Sequence, residues 1–397
     1  MSRASVHRMA FSKEDIVPKP AICRSSRHPP HQALRLVLTL LVLLSLGCGP
    51  EKPIKIGFVG GLSGRLSDLG TAGRDGVLLA VEDVNWAGGI GGRRVLLIAK
   101  DDQHDPAQAR KVIGELIDEG VAAIIGHMTS AMTMAVLPLV NERRMLLISP
   151  TVSSDELSGL DDHFLRVMTP SSQGAVHLAR VAYSVKGARR VCVIFDEANR
   201  PYALPFAEVF SREFEALGGA LVQTEAFHSG RDWQPAEVAS RVLHSEADGF
   251  LLVAGAGDAA LLCQQYYRIG GRASVFSSGW AMTDEFLRVG GPTVEGALFS
   301  QTFSQDSGAP EYLAFRRRFS QRFGRHPDFA AAYAYDAAGI LFEPMASVGP
   351  SGPLKEAILK KGTFQGVQGV FSLDPFGDAV REHFIVAVKE GRFVTLE

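Results

Sequence analysis

Two neighbouring hydroxyl residues, Thr129 and Ser130, stand where a strand pattern gives way to a helix pattern. The apolar run 121–126 ends just before them, and the helical period begins at about Ser130. The first N–H groups of a helix have no partner within it and lie at the positive end of the helix dipole. Hydroxyl and amide donors together form a seat for a carboxylate, so these residues predict the anion-binding end of a ligand site. In the alternative interpretation, Ser130 only caps its helix.

Other polar and aromatic residues follow neighbouring strand patterns. Thr151 and Ser153 lie in the loop after the next strand, and Trp280 follows the strand pattern 273–277. Residues at the carboxyl ends of parallel strands gather at one edge of the sheet, where a flat indole ring would cover an apolar ligand. Two alternatives stay open: Ser153 with Glu156 fits a capping box, and Trp280 fits a buried structural residue.

No catalytic motif accompanies these residues. The chain has no H-E-x-x-H, G-x-S-x-G or C-x-x-C, and its 11 histidines are not spaced as metal ligands. The glycine-rich loop 60–64 is neither G-x-G-x-x-G nor a Walker A motif. We therefore expect a protein that is not an enzyme and has no metal and no cofactor. An exported α/β hydrolase is a remote alternative that lacks a recognisable nucleophile.

The elements that must position these residues alternate along the chain. Short apolar strand patterns and longer segments of helical period form two series, 53–168 and 171–277. This alternation is typical of parallel sheets covered by helices. Two long helices and a hairpin-like end follow, at about 310–323, 328–347 and 383–396. The sequence thus predicts an α/β fold with two doubly wound parallel-sheet lobes, whose ligand binds outside the carboxyl ends of the strands.

Composition indicates a globular chain with no excess of positive charge. Of the 397 residues, 46% are hydrophobic and 21% are charged, and the formal net charge is -2. This balance argues against a nucleic-acid partner. Four cysteines are too few for a disulfide scaffold, and Cys192 and Cys263 fall in apolar patterns, so we expect both to be buried thiols. A bridge between them is the alternative.

The first 47 residues differ from the rest and have the order of an export signal. A basic flank precedes the uncharged run Leu36–Leu46, which is too short to cross a bilayer. Residues Leu46-Gly47-Cys48 resemble the lipobox of bacterial lipoproteins, although Ser45 departs from that pattern. We expect segment 1–47 to be removed and Cys48 to become the lipid anchor; an unmodified cysteine is the alternative.

Six motifs, in this order and at these spacings, resemble the type I periplasmic substrate-binding proteins, specifically the branched-chain amino acid (leucine-binding) family of ABC transporters. They are IGFVGGLSGRLSDLG from Ile56, AVEDVNWAGGIGGRRV from Ala80, DDQHDP from Asp101, IIGHMTS from Ile124, ISPTVSSDEL from Ile148 and AYAYDA from Ala332. The resemblance covers about residues 54–394. It implies two lobes joined by three crossover strands near Thr169, Ser300 and Val370.

The resemblance implies a division of the chain and a function. Lobe one would hold 53–168 plus 302–368, and lobe two 169–301 plus 369–397. The protein would be a monomeric solute-binding lipoprotein of the periplasm or cell envelope, in contact with the membrane through its anchor only. By hinge closure it would deliver an amino acid or a related small polar molecule to an ABC permease. A ligand-sensing or regulatory lipoprotein of the same fold is the alternative.

The family also assigns roles to residues of the site. Its members bind a ligand carboxylate through the serine that aligns with Ser130, and they offer polar groups to the ligand at Thr151 and Ser153. Tyr202 aligns with a pocket tyrosine of the second lobe if two residues are inserted after Phe195, with core packing as its alternative. The ligand site implied by pattern and family together consists of Thr129, Ser130, Thr151, Ser153, Tyr202 and Trp280.

One departure from the family concerns the ligand's ammonium group. Amino acid binders place an acid in the segment that aligns with 277–280, and the equivalent residue here is Gly279. Desolvating an ammonium without a partner costs several kcal/mol, so an α-amino acid would need another carboxylate. Asp68, Asp196 and Asp258 are the candidates. His104 and Thr129 replace two cysteines that pair in many relatives, so that disulfide is absent.

Overall fold

The computed structural model describes residues 52–231 and 233–396. The predicted export segment and Cys48 lie outside the described residues. Within them, every helix is too short or too polar to span a bilayer. Cys192 and Cys263 are buried free thiols, as predicted.

The first half of the chain forms a five-stranded parallel sheet in the order β2-β1-β3-β4-β5. Its strands read as nearly continuous apolar runs because helices cover both faces. The strands are β1 (Ile54–Gly60), β2 (Val95–Asp101), β3 (Ile124–Ile125), β4 (Leu147–Ser149) and β5 (Phe164–Arg166). The helices between them are α1 (Ser67–Trp86), α2 (Pro106–Asp118) and α3 (Ser130–Glu142).

The second series forms a seven-stranded sheet in the order β15-β14-β10-β9-β8-β6-β7. Its parallel strands are β6 (Arg190–Asp196), β7 (Ala220–Phe227), β8 (Gly249–Val253), β9 (Ser274–Ser278) and β10 (Leu298–Gln301). The hairpin β14 (Phe384–Lys389) and β15 (Arg392–Thr395) adds to β10 in antiparallel direction. The helices of this half are α4 (Ser172–Arg180), α5 (Arg200–Ala216), α6 (Pro235–His244), α7 (Ala256–Arg268) and α8 (Asp284–Gly290).

The remaining elements return to the first sheet. They are α9 (Pro310–Phe323), α10 (Phe329–Val348), α11 (Leu354–Lys361), and a small antiparallel sheet of β11 (Thr363–Gly366), β12 (Gly369–Leu373) and β13 (Ala379–Val380). Helix α10 packs closely along α1. A Cβ on Gly76 would lie 2.1 Å from the carbonyl oxygen of Ala331, so only glycine permits this approach.

The predicted α/β fold with two parallel-sheet lobes is confirmed. The predicted lobe boundaries stay predictions. Strand β12, which the prediction places in lobe two, pairs along its length with β11, which it places in lobe one. Asp378 likewise accepts a hydrogen bond from Nε of Arg166 at 2.7 Å. The chain up to Val380 is thus hydrogen-bonded to the first half.

Asp328 provides a pH-dependent test of this packing. It is buried at the start of α10, where its carboxylate accepts the N–H of Ala331 at 3.0 Å, and burial raises its pKa to about 7. From about pH 4 to pH 7 the folded chain keeps a proton that the unfolded chain has released, so this residue's contribution to stability falls as pH rises. We expect Asp328→Asn, which keeps the cap, to gain stability over the wild type progressively across this window.

Thermal unfolding of both proteins at several pH values measures the gain. All other titrating groups are common to the two chains and cancel in the difference. If the two proteins differ in melting temperature by the same amount at pH 4 and at pH 8, the raised pKa of Asp328 is contradicted.

Candidate functional site

A narrow cavity lies between the carboxyl ends of the two large sheets. Its volume is about 20 Å³, room for little more than one water molecule, so a small-molecule ligand fits here only after the surrounding side chains move apart. All six predicted site residues line it, together with five that were not predicted to bind. The lining residues are Leu69, Met128, Thr129, Ser130, Thr151, Ser153, Met168, Asn199, Tyr202, Trp280 and Phe329.

The amino end of α3 faces this cavity with free donors. Ser130 is the first helical residue, and Thr129 stands at the N-cap without a side-chain cap bond. The alternative that Ser130 only caps its helix is therefore wrong. The described residues offer no acceptor to the N–H groups of Ser130 and Met132, whereas the N–H of Ala131 donates to Oδ1 of Asn199 at 3.0 Å. Two amides and two hydroxyls remain for a ligand.

The loop after β4 contributes less donor capacity than its hydroxyls suggest. Thr151 donates its one hydroxyl proton to the carbonyl oxygen of Met128 at 2.6 Å, so it offers a ligand only lone pairs. The capping box predicted for Ser153 is wrong: Ser154 accepts the N–H of Glu156 at 3.3 Å instead. The hydroxyl of Ser153 has no bond to the described residues and lines the cavity.

The opposite wall of the cavity is aromatic and apolar. Tyr202, in the first turn of α5, meets Trp280 edge to face, with ring centroids 5.9 Å apart. Both side chains are buried, and burial raises the pKa of Tyr202 far above its ordinary value, so the phenol is neutral. Leu69, Met168 and Phe329, which come from the side of the first sheet, add further apolar side chains to the lining. A ligand body here would meet carbon atoms rather than charges.

None of the three aspartates considered as ammonium partners lines the cavity. Asp68 accepts a hydrogen bond from Oγ1 of Thr283 at 2.7 Å, and Asp258 pairs with Arg65. Asp196 accepts two backbone N–H groups, those of residue 198 at 2.9 Å and residue 229 at 3.0 Å. Each carboxylate has one oxygen bonded within the protein, and the second oxygens of Asp196 and Asp258 are buried without a partner. No charged side chain of the described residues lines the cavity.

The position that holds an acid in amino acid binders is closed to a side chain. A Cβ on Gly279 would lie 2.6 Å from Nε2 of Gln301 and 2.8 Å from the carbonyl oxygen of Ser300. A carboxylate there would displace Gln301, whose Nε2 donates to the carbonyl oxygen of Gly279 at 3.2 Å. A side chain at position 279 would therefore require Gln301 and the backbone at Ser300 to move.

A buried polar pair supports the strand end that carries Thr129. Nδ1 of His127 lies 2.7 Å from Oδ2 of Asp102, and Ser149 donates to the carbonyl oxygen of His127 at 2.7 Å. Burial alone would raise the pKa of Asp102, but the bond to His127 holds it below its ordinary value. Sequence reasoning missed this pair and Asn199, although each follows a strand or precedes a helix, where polar side chains often serve a site.

A second, wider cavity of about 270 Å³ continues from the first toward solvent. Thr129, Asn199 and Trp280 line both, so they separate the inner cavity from its entrance. Arg65 lies at the entrance and reaches Asp258 on the second half of the chain. The geometry describes a binding cleft that is closed by contacts between two halves.

Comparison with known proteins agrees with this geometry. The chain is 25% identical over 347 residues to a Leu/Ile/Val-binding protein homolog of Brucella abortus, covering 85% of this chain and 91% of the relative. It is also 25% identical over 339 residues to a leucine-, isoleucine-, valine-, threonine- and alanine-binding protein of Pseudomonas aeruginosa, covering 84% and 89%.

Solved structures share the fold. The branched-chain amino acid transporter substrate-binding protein LivJ of Streptococcus pneumoniae, in complex with isoleucine, superposes with a TM-score of 0.81 at 25% identity, covering 87% of this chain and 99% of that one. A solute-binding protein of R. palustris in complex with benzoate superposes with a TM-score of 0.79 at 21% identity, covering 87% of this chain and 96% of that one.

The relatives are substrate-binding proteins, so the prediction that the chain is not an enzyme is confirmed. The predicted kinship with the type I periplasmic binding proteins of branched-chain amino acid ABC transporters is confirmed as well. The family model for periplasmic binding proteins matches residues 53–392, nearly the whole described chain. This match and the cleft between two parallel sheets agree, and the chain belongs to the periplasmic binding protein family.

Proposed function

We propose that this protein is a lipid-anchored solute receptor that closes two lobes around a small carboxylate and presents it to an ABC permease. The observation that carries the proposal is the inner cavity, where unpaired donors at the start of α3 face an apolar wall. In the proposal, segment 1–47 is removed and Cys48 is acylated. The sheet pairing favours a third lobe crossing after Val380 instead of near Val370.

The ligand class follows from the charges that the cavity lacks. Ser130, Thr129 and Ser153 supply hydroxyls to a carboxylate, and Tyr202 and Trp280 face its apolar body. An α-ammonium would be desolvated without a counter-charge, at a cost of several kcal/mol. The proposed ligand is therefore an aliphatic or aromatic acid without an α-ammonium. Similar folds hold isoleucine in one structure and benzoate in another. The residues that line the cavity, and not the fold, therefore determine which ligand binds.

A matched pair of ligands tests this proposal. Leucine and 4-methylpentanoate share their carbon skeleton and carboxylate and differ in the ammonium group alone. We expect 4-methylpentanoate or benzoate to raise the melting temperature, and leucine and benzamide to leave it unchanged. Stabilisation by leucine and not by 4-methylpentanoate would overturn the proposed ligand class. Stabilisation by none of a wider panel of acids, amides and amino acids would overturn the receptor function.

Removing the hydroxyl of Ser130 should weaken acid binding and reduce the ligand-induced shift in melting temperature. A hydrogen bond to a charged group contributes about 1.5–3 kcal/mol, so Ser130→Ala should weaken acid binding by roughly 10- to 150-fold. Titration calorimetry with the best acid measures the loss. Ser240→Ala, on α6 and outside the cavity, is the matched control and should bind as the wild type does. If the two variants bind the acid with equal affinity, Ser130 does not contact the ligand.

Hinge closure predicts a role for the ion pair at the cleft entrance. Arg65, half exposed, pairs with the buried Asp258 across the two halves. Arg65→Met should favour the open form and weaken ligand binding by about two- to fivefold, the range of a solvent-screened pair. X-ray scattering should show a larger radius of gyration without ligand. Arg288→Met removes an ion pair within α8 and should change neither the affinity nor the radius of gyration. If both variants behave alike in these two measurements, Arg65 does not stabilise the closed form.

A further inference from the structure

The most exposed large apolar side chain among the described residues is Trp86, which ends α1 with 93% of its surface exposed. Of the three tryptophans it alone is exposed: Trp280 is buried in the cleft, and Trp233 is half-buried and stacks on Phe227. The fold gives Trp86 no packing role. It lies at the amino ends of the strands of the first sheet, opposite the cleft.

Hydrogen bonds of the preceding residue place the end of α1 next to a basic edge of the first sheet. Its neighbour Asn85 exchanges two side-chain hydrogen bonds with the backbone of Val95, at 2.7 and 2.8 Å, which places α1 beside Arg94. The carbonyl oxygen of Arg94 accepts the N–H of Ile54 at 2.8 Å. Nε of Arg93 donates to the carbonyl oxygen of Lys52 at 2.9 Å. We name the set Lys52, Trp86, Arg93 and Arg94 the tether edge.

The nearest acids on α1 do not neutralise this edge. Glu82 is held by Arg322 at 2.9 Å, and Asp83 by Arg318 at 2.6 Å, on the side of α9. Lys52 and Arg94 are exposed, and neither forms an ion pair within the described part of the chain, so their two positive charges stand beside the exposed indole.

The length of the linker limits where the tether edge can be. Three residues lie between Cys48 and Lys52, which makes four peptide steps, and an extended chain spans at most about 3.6 Å per step. If Cys48 is acylated, which rests on the proposed function, Lys52 stays within about 14 Å of the lipid. The basic indole edge is then held against the headgroups, with the cleft at the opposite ends of the strands.

We propose that the tether edge is a membrane-docking surface for anionic phospholipids. Tryptophan favours the headgroup layer, where its ring is in an apolar medium and its N–H can still find an acceptor. Each cation near an anionic bilayer strengthens binding by about fivefold, provided that salt does not screen it. The expected membrane contact through the anchor alone thus gains a second, protein-borne contact, and two weak contacts together hold one orientation.

The test uses the non-acylated chain from Gly49 onward, which contains the whole compact unit Lys52–Glu397. It is sedimented with vesicles of phosphatidylethanolamine that contain about a quarter phosphatidylglycerol, and with phosphatidylcholine vesicles. We expect partition to the anionic vesicles only, a blue shift of tryptophan emission, and release at about 0.5 M salt. Trp86→Ser should remove the blue shift, and Arg94→Glu should weaken partition at least about fivefold.

Tyr267→Ser is the matched control, because Tyr267 is an exposed aromatic residue beside Arg272 on the other half of the chain. It should partition as the wild type does. Equal binding by Trp86→Ser and the wild type, or no binding to anionic vesicles, would overturn the docking surface and assign the edge to a protein partner. The acid-induced melting shift, measured on the same samples, reports the proposed solute binding separately.

Discussion

Replacing Asn199 with aspartate is expected to weaken the binding of acids by about 100-fold while leaving the fold intact. Oδ1 of Asn199 accepts the N–H of Ala131, the amide next to the proposed carboxylate seat at Ser130. Two negative charges about 6 Å apart at an effective dielectric constant of about 20 repel by roughly 3 kcal/mol. The aspartate would itself be stabilised at the amino end of α3, so the unliganded protein should melt no lower than the wild type.

Calorimetry with the best acid and with its neutral amide separates charge from shape. Asn199→Asp should bind the acid ligand far more weakly than the wild type does, and should bind the neutral amide equally well. Asn199→Ser removes the bond to Ala131 without adding charge and should retain acid binding within a few-fold. Undiminished acid binding by Asn199→Asp would place the carboxylate elsewhere and exclude the amino end of α3 as its seat.

The second large effect is expected on stability, from Arg166→Met. The guanidinium of Arg166 is completely buried and donates to Asp378 at 2.7 Å, to the carbonyl oxygen of Ser154 at 2.7 Å, and to Oγ of Ser158 at 2.6 Å. Its loss leaves the buried carboxylate of Asp378 without a counter-charge, which costs about 3–5 kcal/mol. Urea denaturation should show the midpoint falling accordingly.

Two further variants test the interpretation of Arg166. Arg180→Met removes an exposed pair with Glu213 and should cost less than about 1 kcal/mol. Arg166→Met combined with Asp378→Asn, which removes the stranded charge, should recover part of the loss. A change below about 1 kcal/mol in Arg166→Met would mean that the pair contributes little to the joint between β5 and the segment that leads to β13.

The position of the cleft could be predicted from the sequence because it depends on local strand patterns and on the residues that follow them. Ser130, Thr151 and Trp280 each follow an apolar strand, and the carboxyl ends of parallel strands must meet at one edge. Asn199 was missed because its role depends on how one half of the chain packs against the other. Its partner, the N–H of Ala131, lies 68 residues away in sequence, in a helix of the other half of the chain.

Short elements and competing hydroxyls explain the other differences. Strand β13 has two residues, too few for a period of alternation to be detected, and β11 to β13 were not predicted. Ser153 and Ser154 both precede an acid at a distance compatible with a cap, and only the backbone angles decide that Ser154 takes the role. The proton that Thr151 gives to Met128 likewise depends on tertiary packing, which no spacing in the sequence encodes.

The crowding at Gly279 bears on how this receptor could acquire a new specificity. Any side chain there meets the amide of Gln301 and a backbone carbonyl, so an acidic substitution alone would harm the protein before it helped an amino acid to bind. A smaller residue at 301 would relieve the first contact only, because the carbonyl oxygen of Ser300 would still lie 2.8 Å from the new Cβ. A library that randomises positions 279 and 301 together would therefore yield an acid at 279 only where the backbone of β10 also shifts.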